Sequence, residues 1–325
     1  MCTIMDRTTA EHHAIQSSNL ITTLRFSQQA PMILERQSTS DKNLISSVIA
    51  NQEEPGKYGI LEQLFFSCLQ TGDDKSALLC LEQLTRRFGS SDEKVMGLRG
   101  LYEEAIAKNQ SDLEDCLRKY DLALSENPLN LPILKRRIAL LRSISRPADA
   151  ISSLVQLLKA IPTDAEAWCE LADLYQSQGM SSQAIFSLEE ALLIAPNAWN
   201  IHARLGEVLY ICASAAEAGA VSEYLQKSIQ YFCRSVELCD DYLRGFYGLA
   251  LATSLQLRSM TLSRDSSTST KDFLSAEKVK KLNVLAERKL EAIVNQRSAN
   301  HQLWDHAQGE LIATKELLDR INESP

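Results

Sequence analysis

Apolar side chains in the segment 165–198 fall into two helical stripes separated by a glycine. Trp168, Leu171, Ala172 and Tyr175 recur at the i, i+3, i+4, i+7 spacing of one buried helix face. Gly179 then lets the backbone turn without a Cβ clash. Ala184, Ile185, Leu188, Ala191 and Leu192 form the second stripe, which Pro196 ends by withholding an amide donor. Small residues at 172, 184 and 191 let the two helices approach closely, while Trp168 and Tyr175 fill the space beside them. The pattern predicts a helix–turn–helix unit packed through Trp168, Leu171, Ala172, Tyr175, Ala184, Leu188, Ala191 and Pro196.

The unit recurs. Pro128, Pro162 and Pro196 lie 34 residues apart, as do Ala150 and Ala184, and Leu154 and Leu188. That period is the period of the tetratricopeptide repeat. A copy at 58–91 has Leu61, Gly72, Ala77 and Leu81 at matching offsets, with Phe88-Gly89 in place of the proline. A copy near 93–130 ends in Tyr120, Ala123 and Pro128 but carries about four extra residues near Asn109-Gln110-Ser111-Asp112. Residues 131–164 follow without a gap. The copy from Trp199 has Leu205-Gly206, then a longer inter-helix loop expected at Ala213–Ala220, then Ile229, Phe232 and Val236. A last first helix begins near Asp241, with Tyr247-Gly248 and Leu251. This makes about five and a half repeats.

Beyond Leu257 the period stops. Ser259–Thr270 is rich in Ser and Thr with no apolar spacing, which reads as a flexible loop. Ala276–Val294 and His301–Ile321 read as two terminal helices, supplying the polar outer face that the end of a repeat stack requires. The first forty or so residues are polar, with one short helix expected at Met32–Leu34. The expected organisation is a polar N-terminal segment with short helices (1–57), repeats (58–257), a flexible Ser/Thr-rich loop (258–275) and capping helices (276–325). The expected fold class is all-α: a tetratricopeptide-repeat superhelix, or α-solenoid, with C-terminal capping helices.

Composition narrows the function. With 12 Gly and 8 Pro in 325 residues, the chain has too few turn-formers for an all-β protein. A net charge of −8 disfavours binding to a phosphate backbone, so no nucleic-acid partner is expected. The longest stretch without Asp, Glu, Lys or Arg is the 15 residues Leu174–Leu188, which include four Ser and three Gln. That falls short of the ~18 mostly apolar residues of a membrane span. Residues 1–37 lack the basic, apolar, then small-residue layout of a secretory signal. Eight cysteines without a Cys-x-x-Cys read as reduced small hydrophobes of a cytosolic protein.

Catalytic constellations are missing from the sequence. There is no dinucleotide or phosphate-cradling glycine motif, no His-Glu-x-x-His and no Gly-x-Ser-x-Gly. Of the histidines, only His301 and His306 are spaced so as to suggest a metal pair, and a five-residue spacing puts them on different helix faces. Neighbouring acids such as Glu103-Glu104, Glu189-Glu190 and Asp240-Asp241 point apart on a helix. No enzyme activity, cofactor, metal or small-molecule substrate is expected. The carboxylate clamp of tetratricopeptide co-chaperones maps onto Lys135, Ala139, Glu170, Asn200 and Arg204. Only Lys135 and Arg204 suit it, and Glu170 would repel the carboxylate. Lys278-Val279-Lys280-Lys281 with Arg288-Lys289 is the one concentrated basic run, diluted by Glu277, Glu287 and Glu291.

Four stretches carry a more specific likeness: Ala77–Phe88, Lys135–Leu140, Glu166–Tyr175 and Arg244–Leu249. In this order they resemble repeats of the family of subunit 2 of the endoplasmic reticulum membrane protein complex, over about residues 58–257. The N-terminus, the segment 213–220 and the Ser/Thr segment depart from that pattern. The resemblance implies a non-catalytic scaffold on the cytosolic face of the endoplasmic reticulum membrane, peripheral to it and touching it through its partners. Those partners would be other subunits of a membrane-embedded hetero-oligomeric insertase for tail-anchored and multi-spanning proteins. The alternative reading is a soluble tetratricopeptide adaptor or co-chaperone.

Stacked helix pairs form a wall from their first helices. The side chains expected on this partner-binding groove are Lys135, Arg142, Cys169, Asp173, Gln176, Ala203, Glu207 and Tyr210.

Overall fold

The computed structural model describes residues 20–34, 56–215, 218–262, 275–299 and 308–323. Among them every regular element is a helix. The chain divides into two compact units, Met1–Ala150 and Ile151–Pro325, and the division falls inside helix α7. The first unit holds α1 (Leu20–Gln28), a further helical stretch at 30–34, α2 (Gly56–Thr71), α3 (Asp74–Phe88), α4 (Glu93–Ile106), α5 (Gln110–Glu126) and α6 (Leu131–Ser143). After α7 (Pro147–Ala160), the second holds α8 (Ala165–Ser177), α9 (Ser181–Ile194), α10 (Trp199–Ala215) and α11 (Ala218–Leu238). It ends with α12 (Leu243–Leu262), α13 (Ala276–Ala299) and α14 (Gln308–Glu323).

Local chemistry sets where these helices begin and end. The side chains of Asp73, Asp92, Asn109, Asn130 and Asp164 each accept from the amide N–H three residues on, at 2.9–3.2 Å. Each satisfies a donor that the first helical turn leaves free, a cap worth about 1 kcal/mol. Three of the turns within helix pairs share one closing geometry. Gly72, Ser145 and Gly179 have φ of +76°, +59° and +73°. In each case the next amide (Asp73, Arg146, Met180) reaches back to the carbonyl of Cys68, Leu141 or Tyr175 at 2.9 Å. This is the glycine-favouring close of a helix C-terminus. Ser145 occupies it without being glycine.

In the first unit, Leu61, Leu64, Phe65 and Cys68 of α2 meet Ala77, Cys80, Leu81 and Leu84 of α3. Ala30 and Leu34 join that core, as do Val95 and Leu98 of α4. In the second unit, Ala172 of α8 packs with Ala184, Leu188 and Ala191 of α9 and with Ile201, Leu205, Val208 and Leu209 of α10. Another core gathers Ile229 and Phe232 of α11, Leu243, Phe246 and Leu249 of α12, Ala286 and Leu290 of α13, and Leu311, Leu317 and Leu318 of α14.

Close approach is achieved by glycine facing an aromatic ring. A Cβ on Gly100 would lie 2.6 Å from Cε1 of the buried Tyr120 ring. Phe232, 1% exposed, sits between two first helices: a Cβ on Gly206 would stand 3.1 Å from its ring, and one on Gly248 would overlap it.

The inserted residues extend helices. Those near Asn109–Asp112 lengthen α5 to 17 residues, against 14 for α7 and α9. The loop expected at Ala213–Ala220 is largely helical: α10 runs to Ala215 and α11 starts at Ala218, leaving 216–217 outside the described residues. Alanine's high helix propensity accounts for this difference. Helix α12 continues to Leu262, into the segment expected to be a loop. Ser259 and Thr261 there hydrogen-bond back to the Gln256 and Arg258 carbonyls, at 2.8 and 2.7 Å. Residues 263–274 of that segment and His301–Ala307 lie outside the described residues, and α14 starts at Gln308.

Candidate partner-binding faces

The residues expected in a groove lie in both units. Lys135 and Arg142 are one i, i+7 pair on α6 of the first unit, Lys135 half-buried and Arg142 exposed. Cys169, Asp173 and Gln176 on α8 and Ala203, Glu207 and Tyr210 on α10 form two i, i+4, i+7 rows in the second. Ala203 is 0% exposed and belongs to the core, so it offers a partner no side-chain surface. Cys169, Gln176, Glu207 and Tyr210 are half-buried and Asp173 is exposed. Beneath these rows Leu171, Ala172, Ala184, Leu188 and Ala191 are buried, Trp168 and Tyr175 half-buried, and Pro196 exposed.

Two arginines tie the rows together. Arg204 donates from Nε and Nη2 to Asp173 Oδ1 at 3.1 and 2.9 Å, and from Nη1 to Glu207 Oε2 at 3.0 Å. Arg244 on α12 donates from Nη2 to Glu207 Oε2 at 2.8 Å and from Nε to Oε1. The result is an alternating ladder, Asp173–Arg204–Glu207–Arg244, across three successive first helices. The first unit repeats the arrangement between its own first helices. Lys94 on α4 donates to Glu62 on α2 at 2.6 Å, and Arg136 on α6 donates to Glu104 on α4 from Nε at 3.2 Å and from Nη2. The Tyr120 hydroxyl also donates to Glu104. The sequence signal is opposite charges about one repeat apart, 31–37 positions in these pairs.

The local charges tune the ionisable groups. Burial, then the Asp173 and Glu166 carboxylates, pushes the Cys169 thiol up to about 11, so it stays protonated and unreactive at neutral pH. The Glu207 carboxylate raises Arg244 above its ordinary value. Burial and the hydrogen bond to Glu104 raise Tyr120. Arg204 is committed to Asp173 and Glu207, which leaves the mapped carboxylate clamp with its second suitable cation already occupied.

The second unit carries two concavities. One of about 360 Å³ is lined by Glu207, Arg244, Tyr247, Glu310 and Thr314, so α14 edges the end of the ladder. The other, about 620 Å³, lies among α9, α10 and α11 and includes Glu189, His202, Tyr231 and Arg234. Trp168 and His202, 34 residues apart, occupy equivalent repeat positions. Trp168 Nε1 donates to the Pro162 carbonyl at 2.9 Å, and His202 Nε2 lies 3.0 Å from that of Pro196. A carbonyl only accepts, so His202 carries its proton on Nε2. No group of three His, Cys, Asp or Glu among the described residues could hold a metal ion, and no described helix is long and apolar enough to cross a membrane.

Residues 95–230 match the family model described as the EMC2 TPR-like repeat domain. TPR repeat protein oca3 of Schizosaccharomyces pombe is 34% identical over 214 residues, covering 63% of this chain and 72% of that protein. The chain belongs to the EMC2 family.

ER membrane protein complex subunit 2 of Xenopus tropicalis is 34% identical over 194 residues, covering 60% of this chain. The alignment spans 61% of that relative's length. The subunit 2 of Saccharomyces cerevisiae is 23% identical, covering 70% of this chain and 80% of its own. Among solved structures, the C-terminal part of a TPR repeat-containing protein from Cytophaga hutchinsonii aligns at a TM-score of 0.51 and 12% identity. It covers 82% of this chain and 95% of that one, a likeness of fold alone. The fold is thus the all-α tetratricopeptide architecture of the EMC2 family.

Proposed function

We propose that this EMC2-family chain is a non-catalytic scaffold, peripheral to the cytosolic face of the endoplasmic reticulum membrane. It supports insertion of tail-anchored and multi-spanning proteins by holding cytosolic parts of other subunits of a membrane-embedded complex. It uses no cofactor, nucleic acid or small-molecule substrate. The observation that carries this reading is the ladder Asp173–Arg204–Glu207–Arg244 along the first helices of the second unit.

Each charge in the ladder is held by a neighbour, so the face offers fixed alternating polarity with its side-chain ordering already in place. Pre-ordered partners lower the entropic cost of docking a tail. Alternating sign also favours one register of that tail and repels a shifted one. In the first unit, Lys135 and Arg142 add positive charge along α6.

The test is recovery of the tagged chain from gently solubilised membranes, with co-purifying proteins identified by mass spectrometry. Stoichiometric recovery of several multi-spanning subunits is expected. Recovery with soluble chaperones alone, and no chain in the membrane fraction, would make it an adaptor.

A further inference from the structure

Helix α13 carries six cations (Lys278, Lys280, Lys281, Arg288, Lys289 and Arg297) against three carboxylates (Glu277, Glu287 and Glu291) in a chain whose net charge is −8. In sequence the acids dilute the bases. On the helix they separate. Val279, Ala286, Leu290 and Ile293 are buried and fix the inward face. With about 100° of rotation per residue, Arg288, Lys281, Ala292, Leu285, Lys278 and Lys289 fall in one outward arc of about 100°. All six are exposed. Glu277, Glu287 and Glu291 lie together on one flank beside that arc, where Glu277 pairs with Lys281 at 2.7 Å. The arc therefore holds four cations, no carboxylate, and Leu285, 47% exposed, near its middle.

We infer that this face of α13 docks on an anionic phospholipid surface. A flat, diffuse array of phosphates meets one arc of a cylinder along its length, and Lys278 to Lys289 spans roughly 16 Å of helix. Four to eight basic residues on an amphipathic helix is the arrangement that anionic leaflets attract. Leu285 adds an apolar contact at the headgroup boundary. An acidic peptide would also answer the charge. The exposed outward arc of a helix, however, provides no walls to enclose one. This contact is direct, goes beyond the scaffold reading and does not rest on it, because it needs no partner subunit.

The experiment is flotation of the purified full chain with vesicles of phosphatidylcholine alone or with added phosphatidylserine. Binding is expected only with phosphatidylserine, and it should vanish at about 1 M salt, where the screening length is ~3 Å. Lys278→Gln/Lys281→Gln/Arg288→Gln should lower partitioning on the order of a hundredfold. Glu277→Gln/Glu291→Gln, on the neighbouring flank, should leave it equal or higher. Circular dichroism checks that both variants keep the helix content of the parent. Equal binding to neutral vesicles, no binding at all, or a triple variant that floats like the parent overturns the assignment. So does soluble polyglutamate that binds the chain while phosphatidylserine vesicles do not, because the occupant would then be an acidic polypeptide.

Discussion

At the scale of single residues, backbone freedom and van der Waals space decide the repeat. Ser145 is the one described non-glycine residue with positive φ, at a turn where Gly179, one repeat later, has the same geometry. A left-handed conformation costs a residue with a Cβ about 1–2 kcal/mol, and glycine's extra chain entropy returns part of that. Ser145→Gly should therefore raise stability by about 0.5–1 kcal/mol, read as a higher urea midpoint with an unchanged slope. The opposite outcome is expected at Gly248. An added methyl there meets the Phe232 ring, which is fully buried and cannot swing aside. Gly248→Ala should cost about 1–3 kcal/mol despite alanine's better helix propensity. Pairing it with Phe232→Leu should recover part of the melting temperature, whereas overpacking elsewhere would show no such coupling. Ala184→Leu, at a site 0% exposed between α8 and α10, should be similarly overpacked by about 1–3 kcal/mol in a thermal melt.

Between elements, the contact that recurs is a charge reaching from one first helix to the next. Exposed pairs of this type add about 0–1 kcal/mol each. Glu104 is different because it serves both Arg136 and the buried Tyr120 hydroxyl. The fold raises the Tyr120 pKa above its ordinary 10.0, so the folded chain holds this proton more tightly than the unfolded chain does. Its contribution is complete below pH 10 and is lost as pH rises further. Tyr120→Phe should lower the urea midpoint slightly at pH 8, by the ~1 kcal/mol of one hydrogen bond, and make the decline above pH 10 shallower. An unchanged alkaline slope would move the titration to the other raised tyrosines, Tyr102, Tyr210, Tyr231 and Tyr242. The helices of 165–198 were legible in the sequence because large, small and turn-forming residues agree there. Helix α1 was not, since its buried residues include Thr23 and Ser27, whose hydroxyls hide the stripe from an apolar count. The ladder was harder to read for another reason: its inter-helix pairs, Asp173–Arg204 and Glu207–Arg244, lie 31 and 37 positions apart and meet only after the helices pack. The expected groove residues on α10 were Ala203, Glu207 and Tyr210, and packing against the Phe232 core leaves Ala203 no exposed surface.

For the whole molecule, the sequence period and the family agree on the architecture. Reversing two charges on α6, Lys135→Glu/Arg142→Glu, should lower co-purification of membrane subunits severalfold and leave the circular dichroism spectrum unchanged. Full occupancy in the double variant would remove α6 from the docking face. The Phe232 sandwich also has a consequence for synthesis. A ribosome delivers α10 and α11 before α12, so a nascent chain whose emerged part ends near residue 240 has Gly206 against one side of the ring and nothing yet against the other. Until Gly248 emerges, that half-built repeat presents an uncovered aromatic surface to the cell. Stalled translation in this interval should make the unfinished protein a chaperone client, a burden that the next few dozen residues lift.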